Sequence, residues 1–307
     1  MTPTLVVITG PTGVGKTATA IGVAQALSAE IISADSRQVY RDIPIGTAAP
    51  SAQELAQVPH HFVGMLGLGD YYSAAQFESD VMALLPRLFA RSPYAVMCGG
   101  SMMYVDAVCK GIDMLPTISD EIRRKVYACH EQHGNDYMLA WLRELDAEYY
   151  AIVDRNNHKR VIHAIEICLE AGKPYSSLRT NTVKQRPFRI IKIGLNLPRP
   201  QLFDRINRRV LDMMAAGMAD EARRVYPYRA CNSLNTVGYK ELFAYFDGKM
   251  DYDTAVARIQ KNTRVYAKKQ LTWFLRDTDM RWFVPGDADI LPYIRSQSGE
   301  SESRCEV

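Results

Sequence analysis

Apolar and polar positions along the chain fall into two periodicities, and the first is set at the N-terminus. Residues 5–9 form a short apolar run rich in β-formers, residues 10–15 contain three glycines, and residues 16–27 carry the alanine-rich pattern of a packed helix. This predicts a strand, a tight turn and a helix. A second apolar run, Ile31-Ile32, stops at Ala34-Asp35-Ser36, and a third, residues 94–98, stops at Gly99-Gly100-Ser101. The pattern predicts an α/β fold: an open parallel sheet with helices on both faces. In such sheets ligands sit beyond the carboxyl ends of the strands, so the stretch from Thr9 to Thr17, Asp35 and Ser101 should meet in one crevice.

The helical period takes over from 116 to about 195, opened by the start signal Ser119-Asp120-Glu121 and followed by Arg123, Arg124 and Lys125. We expect a helical insertion at 116–195 between core segments 1–115 and 196–285. Strand character returns briefly over 190–197, helices resume at Arg205, and 255–276 reads as one long helix. There Arg258, Lys261, Arg264 and Lys268 share one side, while Val256, Ile259, Tyr266 and Trp273 are expected to face the body. Residues 286–307 turn acidic and Ser/Glu-rich and are expected to be a flexible tail, frayed from 296 onward.

Composition narrows the class. At 307 residues the chain can bury a sizeable core, and no apolar run approaches the roughly 18 residues needed to span a bilayer. A soluble, cytoplasmic protein without membrane association is expected, taken as a monomer. The cysteines at 98, 109, 129, 168, 231 and 305 show no metal or redox spacing and read as small hydrophobes or idle thiols. Charge is uneven: 6 Lys+Arg face 9 Asp+Glu over 1–115, whereas 13 face 10 over 116–195 and 16 face 10 over 196–282. A basic excess confined to 116–282 suits a polyanion such as nucleic acid, and equally suits solvated helix faces.

The sharpest chemical signal is Gly10-Pro11-Thr12-Gly13-Val14-Gly15-Lys16-Thr17, a match to G-x-x-x-x-G-K-[ST] between a strand and a helix. The glycines let successive N–H groups point at phosphate oxygens, the helix N-terminus and Lys16 add positive charge, and the Thr17 hydroxyl suits a phosphate-bridging Mg²⁺. The motif alone leaves the phosphate compound open, with ATP the ordinary nucleotide-binding reading. Asp35 is a candidate proton acceptor beside this loop, or a cap for the next turn. Ser101 either offers a hydroxyl to the crevice or caps the helix after it. A P-loop kinase and a non-catalytic RNA-binding protein are the competing classes.

Further motifs recur in a fixed order: Asp35-Ser36-Arg37-Gln38-Val39-Tyr40, Ile45-Gly46-Thr47-Ala48, His60-His61, Tyr72-Ser73-Ala74, Gly99-Gly100-Ser101, Lys159-Arg160-Val161-Ile162-His163, Val237-Gly238-Tyr239-Lys240-Glu241 and Lys268-Lys269-Gln270-Leu271-Thr272-Trp273. With these the sequence resembles the tRNA dimethylallyltransferase (tRNA isopentenyltransferase) family, from Leu5 to about Phe283. The resemblance implies a P-loop NTPase-like core and transfer of a dimethylallyl group from dimethylallyl diphosphate to the exocyclic amine of the adenosine adjacent to the anticodon of tRNA. It implies that Gly10, Pro11, Thr12, Gly13, Val14, Gly15, Lys16 and Thr17 hold the departing pyrophosphate with Mg²⁺ on Thr17, that Asp35 is the base, and that Ser101 stands for a hydroxyl the family usually draws from threonine. It places contacts to the anticodon stem-loop on Asp35, Ser36, Arg37, Gln38, Ser101, Arg123, Lys159, Arg160, Val161, Ile162, His163, Asn235, Thr236, Val237, Gly238, Tyr239 and Lys240. The chain departs from the common pattern at Gly64, at His163 where many members have arginine, and at Asn235-Thr236 where many have Arg-Cys.

Overall fold

The computed structural model describes residues 2–180 and 182–299. Its sheet contains β1 (Thr4–Thr9), β2 (Ile31–Ser33), β3 (His60–His61), β4 (Tyr94–Gly99), β5 (Arg189–Leu195) and β6 (Arg281–Phe283). The order is β3-β2-β4-β1-β5-β6, with every pairing parallel. All of β1 is buried, as expected of a central strand covered on both faces. The pleat sends its residues alternately to two cores. Leu5 and Val7 meet Phe77, Val81 and Leu85 of the helix Ala74–Phe89, and Val6 and Ile8 meet Ala20 and Val23 of the helix Lys16–Ala26 together with Ile206 of the helix Arg199–Ala215. The sheet supports the expected P-loop-like α/β class.

Two compact units divide the chain: Met1–Cys109 with Gln185–Val307, and Lys110–Lys184. The second unit is helical and is offset from 116–195, beginning at Lys110 and ending at Lys184. Strand β5 belongs to the sheet, with Ile193 in register with Ile8, so the chain has returned to the core before residue 196. Within the helical unit, Asp120–Leu145 is interrupted at Gly134 (φ 73°), and it packs against His158–Ala171 through Val126, Met138, Leu142, Val161 and Ile165.

The expected flexible tail needs correction. Ile290–Ser298 is a helix whose Ile290 and Ile294 are buried against the sheet, and the Tyr94 hydroxyl donates to Ser298 Oγ at 2.7 Å. Burying two isoleucines is worth roughly 3 kcal/mol or more, enough to hold a short helix down. Residues 300–307, including Cys305, lie outside the described residues. Cys98, Cys129, Cys168 and Cys231 are free thiols. Among the described residues no helix is long and apolar enough to cross a membrane.

Candidate active site

The P-loop runs from the end of β1 into the helix Lys16–Ala26. Its first glycine is required by space as well as by conformation: Gly10 has φ 147°, and a Cβ there would lie 2.4 Å from the Leu195 carbonyl oxygen of β5. Lys16 Nζ donates to the carbonyls of Gly10 (3.1 Å) and Pro11 (3.0 Å). The Thr12 N–H donates to Gln270 Oε1 at 2.8 Å, and Thr12 Oγ1 accepts from Arg209 Nη1 at 3.2 Å. Val14 is fully buried and anchors the turn.

Asp35 follows the last residues of β2, and its Oδ1 accepts from the N–H groups of Arg37 (2.9 Å) and Gln38 (3.3 Å). Capping and catalysis are therefore compatible, because Oδ1 alone carries both turn bonds. Ser101 does not cap the helix Met102–Lys110 through its hydroxyl; its carbonyl serves Tyr104 and Val105, while Oγ accepts from the Ser36 N–H at 2.8 Å and donates to Ser36 Oγ at 3.2 Å. Ser101 thus braces the turn that carries Asp35.

Two adjoining cavities, about 400 and 480 Å³, share Thr12, Gly13, Asp35, Thr47, Arg209 and Tyr266 as walls. The first holds Lys16 and Thr17, and the second is lined by Ser36, Arg37, Ser101, Asn235, Thr236, Val237 and Lys240. Most sequence-predicted residues of the core unit therefore converge. Gln38 is committed elsewhere in the same wall, accepting from Ser33 Oγ and donating to the Ala48 carbonyl. Tyr239 is fully buried with its hydroxyl donating to Glu221 Oε1 at 2.6 Å, and Gly238 packs on Met218, so neither offers a side chain to a ligand. Val161 and Ile162 are core residues of the helical unit, where the expected RNA contacts Lys159, Arg160, His163 and Arg123 are exposed and only the last two flank the buried Glu166.

Arg209 and Gln270 were not singled out individually as site residues from the sequence. Arg209 arrives from the helix Arg199–Ala215, with burial lowering its pKa from the ordinary arginine value and Asp35 the leading opposing charge. Gln270 and Tyr266 come from the helix Tyr252–Phe274, whose inward face is Ala255, Ile259, Ala267, Gln270 and Phe274, so Tyr266 lines the cavities rather than the core. Among the described residues no group of three or more His, Cys, Asp or Glu could hold a metal. Thr17 and Asp35 nevertheless offer oxygen to one cavity, a donor set that suits Mg²⁺ when phosphates supply further ligands.

A family model described as IPP transferase matches residues 38–277, well over half of the chain. The chain belongs to this family. It is 57% identical to a tRNA dimethylallyltransferase 2 of Parabacteroides distasonis, over 94% of this chain and 96% of that one. It is 55% identical to a tRNA dimethylallyltransferase 1 of Phocaeicola vulgatus, over 96% and 99%. Among solved structures, the tRNA isopentenylpyrophosphate transferase of Bacillus halodurans aligns with TM-score 0.70 at 34% identity, covering 97% of both chains. A eukaryotic dimethylallyltransferase described as acting on tRNA aligns with TM-score 0.76 at 25% identity, over 95% of this chain and 77% of that one.

In this IPP transferase, desolvation lowers Lys16 to about 8, assisted by the charge of Arg209 and opposed by that of Asp35. The ammonium is the form that attracts phosphate, so binding is fully supported below this value and lost as pH rises through it. Affinity for inorganic pyrophosphate, measured by calorimetry from pH 7 to pH 10, is expected to weaken by about tenfold per unit above pH 8. A flat profile would remove Lys16 from the cradle.

Proposed function

We propose that the chain transfers a dimethylallyl group from dimethylallyl diphosphate to the exocyclic amine of the adenosine adjacent to the anticodon in tRNA, giving N6-dimethylallyladenosine and pyrophosphate. The observation that carries this reading is the place of Asp35, on the wall shared by the phosphate cradle and the cavity lined by Ser36, Arg37, Ser101 and Lys240. A proton acceptor at that junction suits a reaction in which the amine attacks the allylic carbon, the carbon–oxygen bond to diphosphate breaks, and the amine proton leaves to a carboxylate.

The leaving group gathers negative charge as its bond breaks. The P-loop amides, Lys16 and Arg209 are groups suited to stabilise that charge, and they are fixed before reaction by the bonds of Thr12 to Gln270 and Arg209 and of Lys16 to the Gly10 and Pro11 carbonyls. The Thr17 hydroxyl, with the phosphates, would hold a Mg²⁺, which would supply further charge neutralisation. On the acceptor side the adenosine has to leave its stack in the anticodon loop to enter this cavity, and Arg37 and Lys240 at the wall suit the phosphates on either side of it.

Incubation with labelled dimethylallyl diphosphate, Mg²⁺ and total tRNA, followed by digestion, is expected to yield label in one modified adenosine. A thermal shift with ATP and none with the prenyl donor, together with unlabelled tRNA, would overturn the reading in favour of a kinase.

A further inference from the structure

The motif Lys268-Lys269-Gln270 brings Gln270 to more than the P-loop turn. Gln270 is 2% exposed, and both ends of its amide are engaged: Oε1 accepts from the Thr12 N–H at 2.8 Å, and Nε2 donates to the Gly100 carbonyl at 2.8 Å. One side chain therefore ties the P-loop turn after β1 to the end of β4. The same tie continues toward the base. Gly100 precedes Ser101, Ser101 Oγ accepts from the Ser36 N–H, and Ser36 follows Asp35.

We propose that Gln270 is a positioning residue, its neutral amide holding the phosphate cradle in register with the Asp35 turn without placing a negative charge beside Lys16. This rests on the function proposed above. The space around Gly100 shows how tight the arrangement is. A Cβ on Gly100 would lie 2.4 Å from Gln270 Nε2 and 3.4 Å from Lys16 Nζ, so the amide and the ammonium approach the same side of that glycine. A side chain here has to accept from an N–H and donate to a C=O at once while staying uncharged. Glutamine does so at this length; glutamate retains the acceptor, loses the donor and adds charge, and methionine retains the shape with neither bond.

The test compares Gln270→Met and Gln270→Glu with the unaltered chain by calorimetric titration of inorganic pyrophosphate with Mg²⁺ at pH 7, alongside transfer kinetics. Gln270→Met is expected to weaken pyrophosphate binding by about tenfold and to lower kcat as well as raise the donor KM, with tRNA affinity unchanged. Gln270→Glu is expected to weaken pyrophosphate binding further than Gln270→Met, because it loses the donor to the Gly100 carbonyl and adds a negative charge at the phosphate cradle. Folded variants that bind pyrophosphate as the unaltered chain does, or that lose only thermal stability, would overturn the proposal. Should Gln270→Met fail to fold, Gln270→Glu, which keeps the Thr12 bond, decides the matter through its pyrophosphate affinity and its kcat. If the unaltered chain binds pyrophosphate yet transfers no prenyl group, the proposed function fails, and the binding comparison still tests Gln270.

Discussion

Asp35→Asn is expected to lower turnover by on the order of 100-fold or more while tRNA affinity stays within about twofold. The choice of asparagine follows from the hydrogen bonds. Asp35 Oδ1 accepts from the N–H groups of Arg37 and Gln38, and an asparagine oxygen can accept the same two bonds. What it loses is the capacity to take a proton. Asp35→Ala removes the proton acceptor and the turn together, at a local cost of about 1 kcal/mol, and it frees the segment that carries Arg37. Arg37 Nη1 donates to the carbonyls of Asn232 and Ser233, so the alanine variant should weaken tRNA binding as well. Single-turnover transfer rates paired with filter binding of tRNA separate the two effects. Near-normal turnover in Asp35→Asn would sink the base assignment.

Sequence carried the P-loop and its three strands because those elements depend on local features. Residues 4–9 are buried on both faces, so the run is apolar from Leu5 to Ile8, and Gly10 and Gly99 mark positions where backbone meets backbone. Strands β3 and β6 are two and three residues long, too short for any period, and they exist because β2 and β5 pair with them. In the C-terminal segment the serines and glutamates dominate composition, yet Ile290 and Ile294, four apart, carry the signal of a buried helix face. The site divided along the same line. Asp35, Ser101 and Lys16 end or begin elements and could be placed from pattern, whereas Arg209 and Gln270 lie within long helices, where an arginine or glutamine reads as surface until tertiary packing turns it inward. The segment 159–163 shows the reverse: the resemblance marks it whole, while the helix period assigns Val161 and Ile162 to the core and leaves the cations outside.

Lys16→Met should show the opposite pattern to Asp35→Asn, with donor binding and turnover failing together and kcat/KM for the donor falling by about 100- to 1,000-fold. The reason is that the ammonium acts on both bound diphosphate and the charge that develops as the allylic bond breaks, whereas the carboxylate acts on a proton that leaves the acceptor. Stability should move the other way. Desolvation holds Lys16 at about 8, below its value in the unfolded chain, so between pH 8 and the ordinary lysine range the unfolded chain binds more protons. Folding stability from this group therefore rises as pH increases through that window and is lowest below it, where the folded chain must keep a desolvated charge. An uncharged side chain of similar length removes that burden, at the loss of the bonds to the Gly10 and Pro11 carbonyls. Thermal melts at pH 7 are expected to place Lys16→Met at or above the unaltered chain, and melts at pH 10 to bring the two together. A variant that melts lower at pH 7 while retaining donor affinity would make Lys16 a structural strut of the loop and remove it from the chemistry.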